Sequence, residues 1–253
     1  MAKWPLEPGV WVGLVLLGWV YLRGARRVRG WARSRTIFFF GGLGVLFVAL
    51  ASPLAASDTE SFTAHMIQHL LLTHVAAPLL LLGAPVTLLV RTTGLRARWV
   101  HAVGHPLVTW IAFVAVMVGS HYSPLYDSAL RNEFVHAFEH ALFLGSGLLF
   151  WWPVVGIDPG ATRLPYPLRI VYLLLSMPVQ AWLGLWIFSR ETALYPHYEA
   201  VDPNALADQQ TAAAIMWVGG DLLTLAGIAF VVLAWMRHDA RLAAREDRRL
   251  GAT

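Results

Sequence analysis

The chain has 253 residues, 57% hydrophobic and only 13% charged, with mean hydropathy +0.57 and a formal net charge of +4. A soluble domain averages about 25% charged residues, so this composition excludes a water-soluble globular protein. The absence of cysteine excludes disulfides and thiolate metal sites, and the basic residues flank apolar runs, which excludes nucleic acid as the reason for the charge.

Apolar runs of roughly 20 residues, the length that crosses a bilayer, fall at 4–22, 36–56, 62–83, 106–121, 134–155, 167–188 and 207–236. They predict an all-α polytopic bundle of about seven transmembrane helices. Residues 1–253 form a single transmembrane domain with no room for a soluble one. The N-terminal segment lacks a small-residue cleavage site and is expected to be retained. Pro78 and Pro85 should kink or end the third span. Trp4 and Trp11, Trp99 and Trp110, and Trp151 and Trp152 sit near span ends, as interfacial tryptophans do. Gly41, Gly42 and Gly44, Gly145 and Gly147, and Gly219 and Gly220 should let helices approach closely.

Most of the 19 basic residues fall on one side of these spans. They are Arg23 to Arg35 in the first loop, Arg91, Arg96 and Arg98 in the third, Arg163 and Arg169 in the fifth, and Arg237 to Arg249 in the tail. By the positive-inside rule that side is cytoplasmic. The N-terminus is then outside and the C-terminus cytoplasmic, in a bacterial-type inner (plasma) membrane. The opposite loops are acidic, with Asp58, Glu60, Asp127, Glu133, Glu191, Glu199, Asp202 and Asp208.

There are ten histidines, and an imidazole inside a span is costly enough to be informative. His65 and His69 are four apart, as are His136 and His140, so each pair shares a helix face. The topology puts His65 and His69 at the start of the third span, His121 at the end of the fourth, and His136 and His140 at the start of the fifth. These five therefore share one outer layer roughly 10 Å deep. Met117 lies one turn below His121; Met66 adjoins His65 but points about 100° away. Imidazole suits copper, iron and zinc, while a thioether favours Cu(I). A histidine-rich set without cysteine therefore points to copper first, with haem or zinc as alternatives. Interhelical hydrogen bonding is the structural role these histidines would otherwise fill.

Glu139, inside the second pair, can support an imidazole N–H or pair with an arginine. His74, roughly 13 Å below His65, and Asp221 in the last span should face the bundle interior as polar contacts or as steps of an ion path. His101, His105 and His238 fall at the cytoplasmic edge, and His197 is expected to be a solvated loop residue.

The run His65-Met66-Ile67-Gln68-His69-Leu70, followed by Pro78 and Gly83-Ala84-Pro85, resembles the third-span segment of CtaG-type cytochrome c oxidase assembly factors. His136-Ala137-Phe138-Glu139-His140, leading to Trp151-Trp152-Pro153, is similar to that family's fifth-span motif. Leu206-Ala207-Asp208-Gln209-Gln210, followed by Met216-Trp217, is similar to its last-span motif. The resemblance covers about 36 to 236. It implies a role in maturing haem–copper oxidases, with copper delivered to an oxidase subunit or exchanged with other copper-assembly proteins. It carries over His65, His69, His136, His140 and the Asp208-Gln209-Gln210 segment as site candidates. Asp208 also suits a helix N-terminus as an acid in the first turn. The lipid bilayer is the other partner; nucleic acid is not one.

No nucleophile–base set or phosphate loop appears, so an enzyme is not expected. The alternatives to a copper-binding assembly factor are a bis-histidine haem electron carrier, a copper or proton transporter stepping through His74 and Asp221, and a metal-free scaffold.

Overall fold

The computed structural model describes residues 8–94, 104–159 and 162–251, and these are helical with no strand among them. In chain order the helices are α1 (Pro8–Arg27), α2 (Arg33–Ala51), α3 (Phe62–Leu82), α4 (Pro85–Thr93), α5 (Pro106–Tyr122), the short α6 (Leu125–Ala129), α7 (Glu133–Val155), α8 (Tyr166–Phe188), the short α9 (Pro196–Val201) and α10 (Ala205–Leu250). Six of them (α1, α2, α3, α7, α8 and α10) are long and apolar enough to cross a membrane. The seventh expected span, α5, has 17 residues, the short end of what a bilayer core requires. The chain is a polytopic membrane helix bundle. Lys3, Trp4, Arg96, Arg98, Trp99 and His101 lie outside the described residues.

The helix α3 is the axis of the bundle, with 67% of its apolar window buried. One side of it joins a cluster with Phe113, Phe150, Leu183 and Ala212 from α5, α7, α8 and α10. The other side joins Tyr21, Phe39, Leu43 and Phe143 from α1, α2 and α7. The remaining helices present apolar faces outward, as in Val12, Val15 and Leu16 of α1 and Leu222 and Phe230 of α10. Lipid, rather than water, is the solvent such faces require.

Pro78 does not end α3. Residues Leu71–Ala76 form a π segment instead, and the N–H of Ala77 donates to Leu72 O, five residues back. Pro78 has no N–H to give, so Thr73 O has no ordinary helical donor. Trp151 Nε1 fills the gap, donating to Thr73 O at 2.9 Å. The helix stops at Gly83, and Ala84 takes a left-handed φ of 51° before Pro85 opens α4. The close approach of α7 to this segment needs glycine, because a Cβ at Gly147 would lie 2.8 Å from Thr73 Cα. Gly147→Ala should therefore destabilise the bundle by about 1–3 kcal/mol, seen as a lower unfolding midpoint of the detergent-solubilised protein.

The last helix differs from expectation in length. It continues past 236 to Leu250 because Ala, Arg, Glu and Leu are strong helix formers and no Gly or Pro intervenes before Gly251. Its 46 residues span about 69 Å at 1.5 Å per residue, against a hydrocarbon core of about 30 Å. It also carries a π segment, Ile215–Gly219.

Candidate metal centre

Three helix starts and ends converge at one end of the bundle. The N-terminus of α3 is held by Asp208 of α10, whose Oδ2 accepts from Phe62 N at 2.6 Å and Thr63 N at 3.3 Å, while Ser61 Oγ donates to it at 3.2 Å. Asp208 thus caps a neighbouring helix, and its carboxylate is engaged in that cap. Asp208→Ala should cost about 1–3 kcal/mol of stability and leave the metal content of the folded protein unchanged, which unfolding and metal assays on one preparation would check. At the start of α7, Asn132 Oδ1 accepts from Phe134 N at 2.9 Å and Val135 N at 3.2 Å. That N-cap places His136 and His140 in the first turns, while His121 ends α5.

The five histidines of the expected outer layer meet here. His65 Nε2 is 3.0 Å from His69 Nε2 and 3.4 Å from Glu139 Oε2, with His65 and Glu139 fully buried. Ring centroids of His65 lie 5.1 Å from His136 and 5.7 Å from His140, and those of His136 and His140 are 4.2 Å apart. Two overlapping triads result, His65–His136–His140 and His65–His69–Glu139, each with ligand atoms within 4.8 Å of one another. At metal–ligand bonds of about 2.0–2.1 Å, separations of 3.0 and 3.4 Å subtend angles of about 95° and 110° at a shared ion. Neither Glu139 oxygen, nor His136 Nε2 or His140 Nε2, has a hydrogen-bond partner among the described residues. Such unpaired buried groups are expensive, and a cation among them would offset the cost.

Hydrogen bonds fix which nitrogens face inward. Tyr198 Oη donates to Asp58 O at 2.7 Å and lies 3.4 Å from His65 Nδ1, so its remaining role there is acceptor. The proton of His65 then sits on Nδ1 and the lone pair on Nε2. The Nδ1 of His121 lies 2.7 Å from Met117 O; a carbonyl only accepts, so His121 Nε2 also carries a lone pair. His121 stands beside the triads, its ring 6.4 Å from that of His69, and Met117 is buried beneath it.

Sequence reasoning missed the residues around this set. Gln68 Nε2 donates to Ala49 O at 2.8 Å and to Asp58 Oδ2 at 2.9 Å, and Asp58 Oδ2 lies 3.7 Å from His136 Nε2. Tyr126, Tyr195 and Tyr198 form an aromatic wall beside the cluster, with Tyr126 4.8 Å from His65 and stacked on Tyr195 at 4.3 Å. Burial pushes the Tyr195 and Tyr198 phenols well above their ordinary range, so both remain neutral donors. The sequence signals were the position of Gln68 between the paired histidines and that of Asp58 in an acidic loop. A cleft of about 480 Å³, lined by Asp58, Gln68, Glu133, His136 and His140, leads to the cluster.

Other expectations resolve differently. His74 faces the bundle interior in a polar contact separate from Asp221. His74 Nδ1 contacts Thr73 Oγ1 at 2.7 Å, and Asp221 Oδ1 has no hydrogen-bond partner among the described residues. His197 is tied down rather than freely solvated, its Nε2–H donating to Thr59 O at 2.9 Å. Gln209 serves structure, accepting from Leu194 N at 2.7 Å.

A bundle of apolar helices enclosing a histidine–glutamate cluster defines a polytopic membrane protein with an internal candidate site for a metal ion. The chain belongs to the cytochrome c oxidase caa3 assembly factor family (Caa3_CtaG), whose sequence model matches residues 19–238. The resemblance drawn from its motifs therefore holds. Among curated relatives, an uncharacterized protein of Mycobacterium bovis is 33% identical over 245 residues, covering 88% of this chain and 37% of that protein. One of Mycobacterium leprae is 30% identical over 276 aligned positions, covering 99% of this chain and 42% of the relative. The chain thus spans about two fifths of the length of these relatives. No solved structure matches it.

Proposed function

We propose that the protein binds copper at the His65, His69, His136, His140 and Glu139 cluster and hands it to a haem–copper oxidase subunit, or to a copper-assembly protein acting on one, during oxidase maturation. The convergence of two ligand triads on the shared, fully buried His65 carries this reading. The cluster would lie in the outer half of a bacterial plasma membrane, the N-terminus outside and the arginine-rich end in the cytoplasm, as the positive-inside rule requires. The cleft supplies access, and Asp58 and Glu133 at its wall favour a cation. Transfer needs only ligand exchange, from His136 at the cleft inward or the reverse, so no covalent catalysis is invoked.

Geometry favours copper over the haem alternative. A porphyrin between His69 and His140 needs a flat slot, yet His69 stacks on Phe143 at 3.7 Å and its Nε2 is 3.0 Å from that of His65. A scaffold that never holds metal would gain nothing from burying these unpaired groups.

The test is metal and haem quantification on the purified protein, with copper measured in the oxidase of cells carrying the wild type or His65→Ala/His136→Ala. The expected result is copper in the wild type, loss of the outer-cluster equivalent in the double variant, no haem spectrum, and a copper-poor oxidase. A copper content unchanged in the double variant would refute the ligand assignment; no copper in the copper-loaded wild type would leave the scaffold.

A further inference from the structure

Sharing His69 with the cluster is a small cavity of about 20 Å³, enough for one water molecule or one ion. Its lining is unusual in composition. Met66, Met117 and Met216, half of the six methionines in the chain, line it together with His69, His74 and His121. Each of these six is less than a tenth exposed.

Two of the imidazoles present bare lone pairs. The proton of His121 is committed to Met117 O, as described above, and His121 Nε2 has no partner. In His74 the same outcome follows from its neighbour. Thr73 Oγ1 donates its proton to His69 O at 2.6 Å, so it can only accept from His74 Nδ1 at 2.7 Å. The lone pair of His74 is therefore on Nε2, which has no hydrogen-bond partner among the described residues. Gln180, on the same wall, likewise keeps Nε2 without a partner.

Both π segments of the fold border this cavity. One supplies Thr73 and His74, the other Met216. In an α-helix His74 would be turned roughly 140° from His69, whereas an i→i+5 repeat brings residues five apart towards one face. The local distortion, with its cost in helix geometry, turns His74 towards the cavity that His69 and His121 also line. Single-turn π segments are often kept where a side chain must be re-aimed for function.

We propose that this cavity is a second, deeper site for a soft monovalent metal ion, Cu(I), held by His74 and His121 through Nε2 and by thioethers of Met66, Met117 and Met216. Imidazole with thioether, and no carboxylate in the lining, selects Cu(I) over Cu(II) or Zn(II). His69 stands between the two sites, its Nε2 against His65 and its Nδ1 without a partner. An ion already in the cuprous state passes inward by exchanging ligands at His69, with no change of oxidation state. The inference rests on the copper reading for the identity of the ion, but its ligands are separate from those of the outer cluster.

The full-length protein in detergent, titrated anaerobically with Cu(I) against a chromophoric chelator and examined by copper X-ray absorption, tests it. The wild type should bind two equivalents and show sulfur among the copper neighbours. Met117→Leu/Met216→Leu should bind one, with nitrogen and oxygen neighbours only, while His65→Ala keeps the sulfur-containing equivalent. Absence of sulfur in the wild-type spectrum, a measurement that needs no variant to fold, would overturn the proposal, as would two equivalents in a monodisperse leucine variant. One nitrogen-only equivalent lost in His65→Ala sinks the deep site and leaves the outer one standing. One sulfur-containing equivalent that survives His65→Ala does the reverse. No bound Cu(I) at all ends both.

Discussion

Alanine at His65 should empty the outer cluster of copper, whereas alanine at His136 should only loosen it. The difference follows from sharing. His65 belongs to both triads, so its loss leaves His136 and His140 as one pair and His69 with Glu139 as another. Neither pair retains three donors within reach of one ion. Loss of His136 spares His65, His69 and Glu139, a complete set and the more buried one. The outer-site equivalent of copper, the one with nitrogen and oxygen neighbours only, should fall to near zero in His65→Ala after dialysis against a chelator. In His136→Ala it should remain stoichiometric, with affinity lowered about 10–100-fold, as when a supporting partner of a metal ligand is lost. Equal losses in the two variants would mean that the triads are not alternative homes for the ion.

Trp151→Ala should be the most destabilising single change away from the histidines. Trp151 is 4% exposed and belongs to the larger core cluster, and removing such a ring costs about 3–5 kcal/mol. The indole N–H is also the donor that satisfies Thr73 O, the carbonyl stranded by the π segment and Pro78. Stranding it again adds about 1–3 kcal/mol. The ring lies against Gly227 of α10, where any Cβ would collide with it, so no larger side chain there fills the void. Trp151→Phe keeps most of the ring and loses the donor, and should cost only the hydrogen-bond part. Denaturant unfolding of the three proteins in one detergent measures both. A phenylalanine variant as unstable as the alanine one would show that the N–H, not the ring volume, is what matters.

The bundle was legible because each span is a run of about 20 apolar residues, and because i,i+4 histidine pairs survive as a pattern whatever surrounds them. Their meeting at one level followed from counting spans. What local pattern does not encode was harder to see. Asp208 reads as an acid in its own first turn, yet it caps α3, across 146 residues to Phe62. Glu139 is ambiguous until its neighbours are known, because the same spacing serves an arginine partner. Asp58 and Gln68 join the site through a loop and a carboxamide that carry no periodic signal. The π segments are set by packing: Pro78 invites one, but only the Trp151 donor and the glycine at 147 make room for it. His74 is therefore nearer the cluster, in angular terms, than α-helical arithmetic allows.

The length of α10 turns the floor of the deep cavity into a fulcrum. Met216 sits in a π segment at the base of an uninterrupted 31-residue stretch, Gly220–Leu250, about 46 Å long. A tilt of about 5° at that joint displaces the far tip by about 4 Å over such a length. Sub-ångström repacking around Met216 is thus magnified into a movement the size of a side chain at the arginine-rich end of the protein, on the opposite side of the bundle from the histidines.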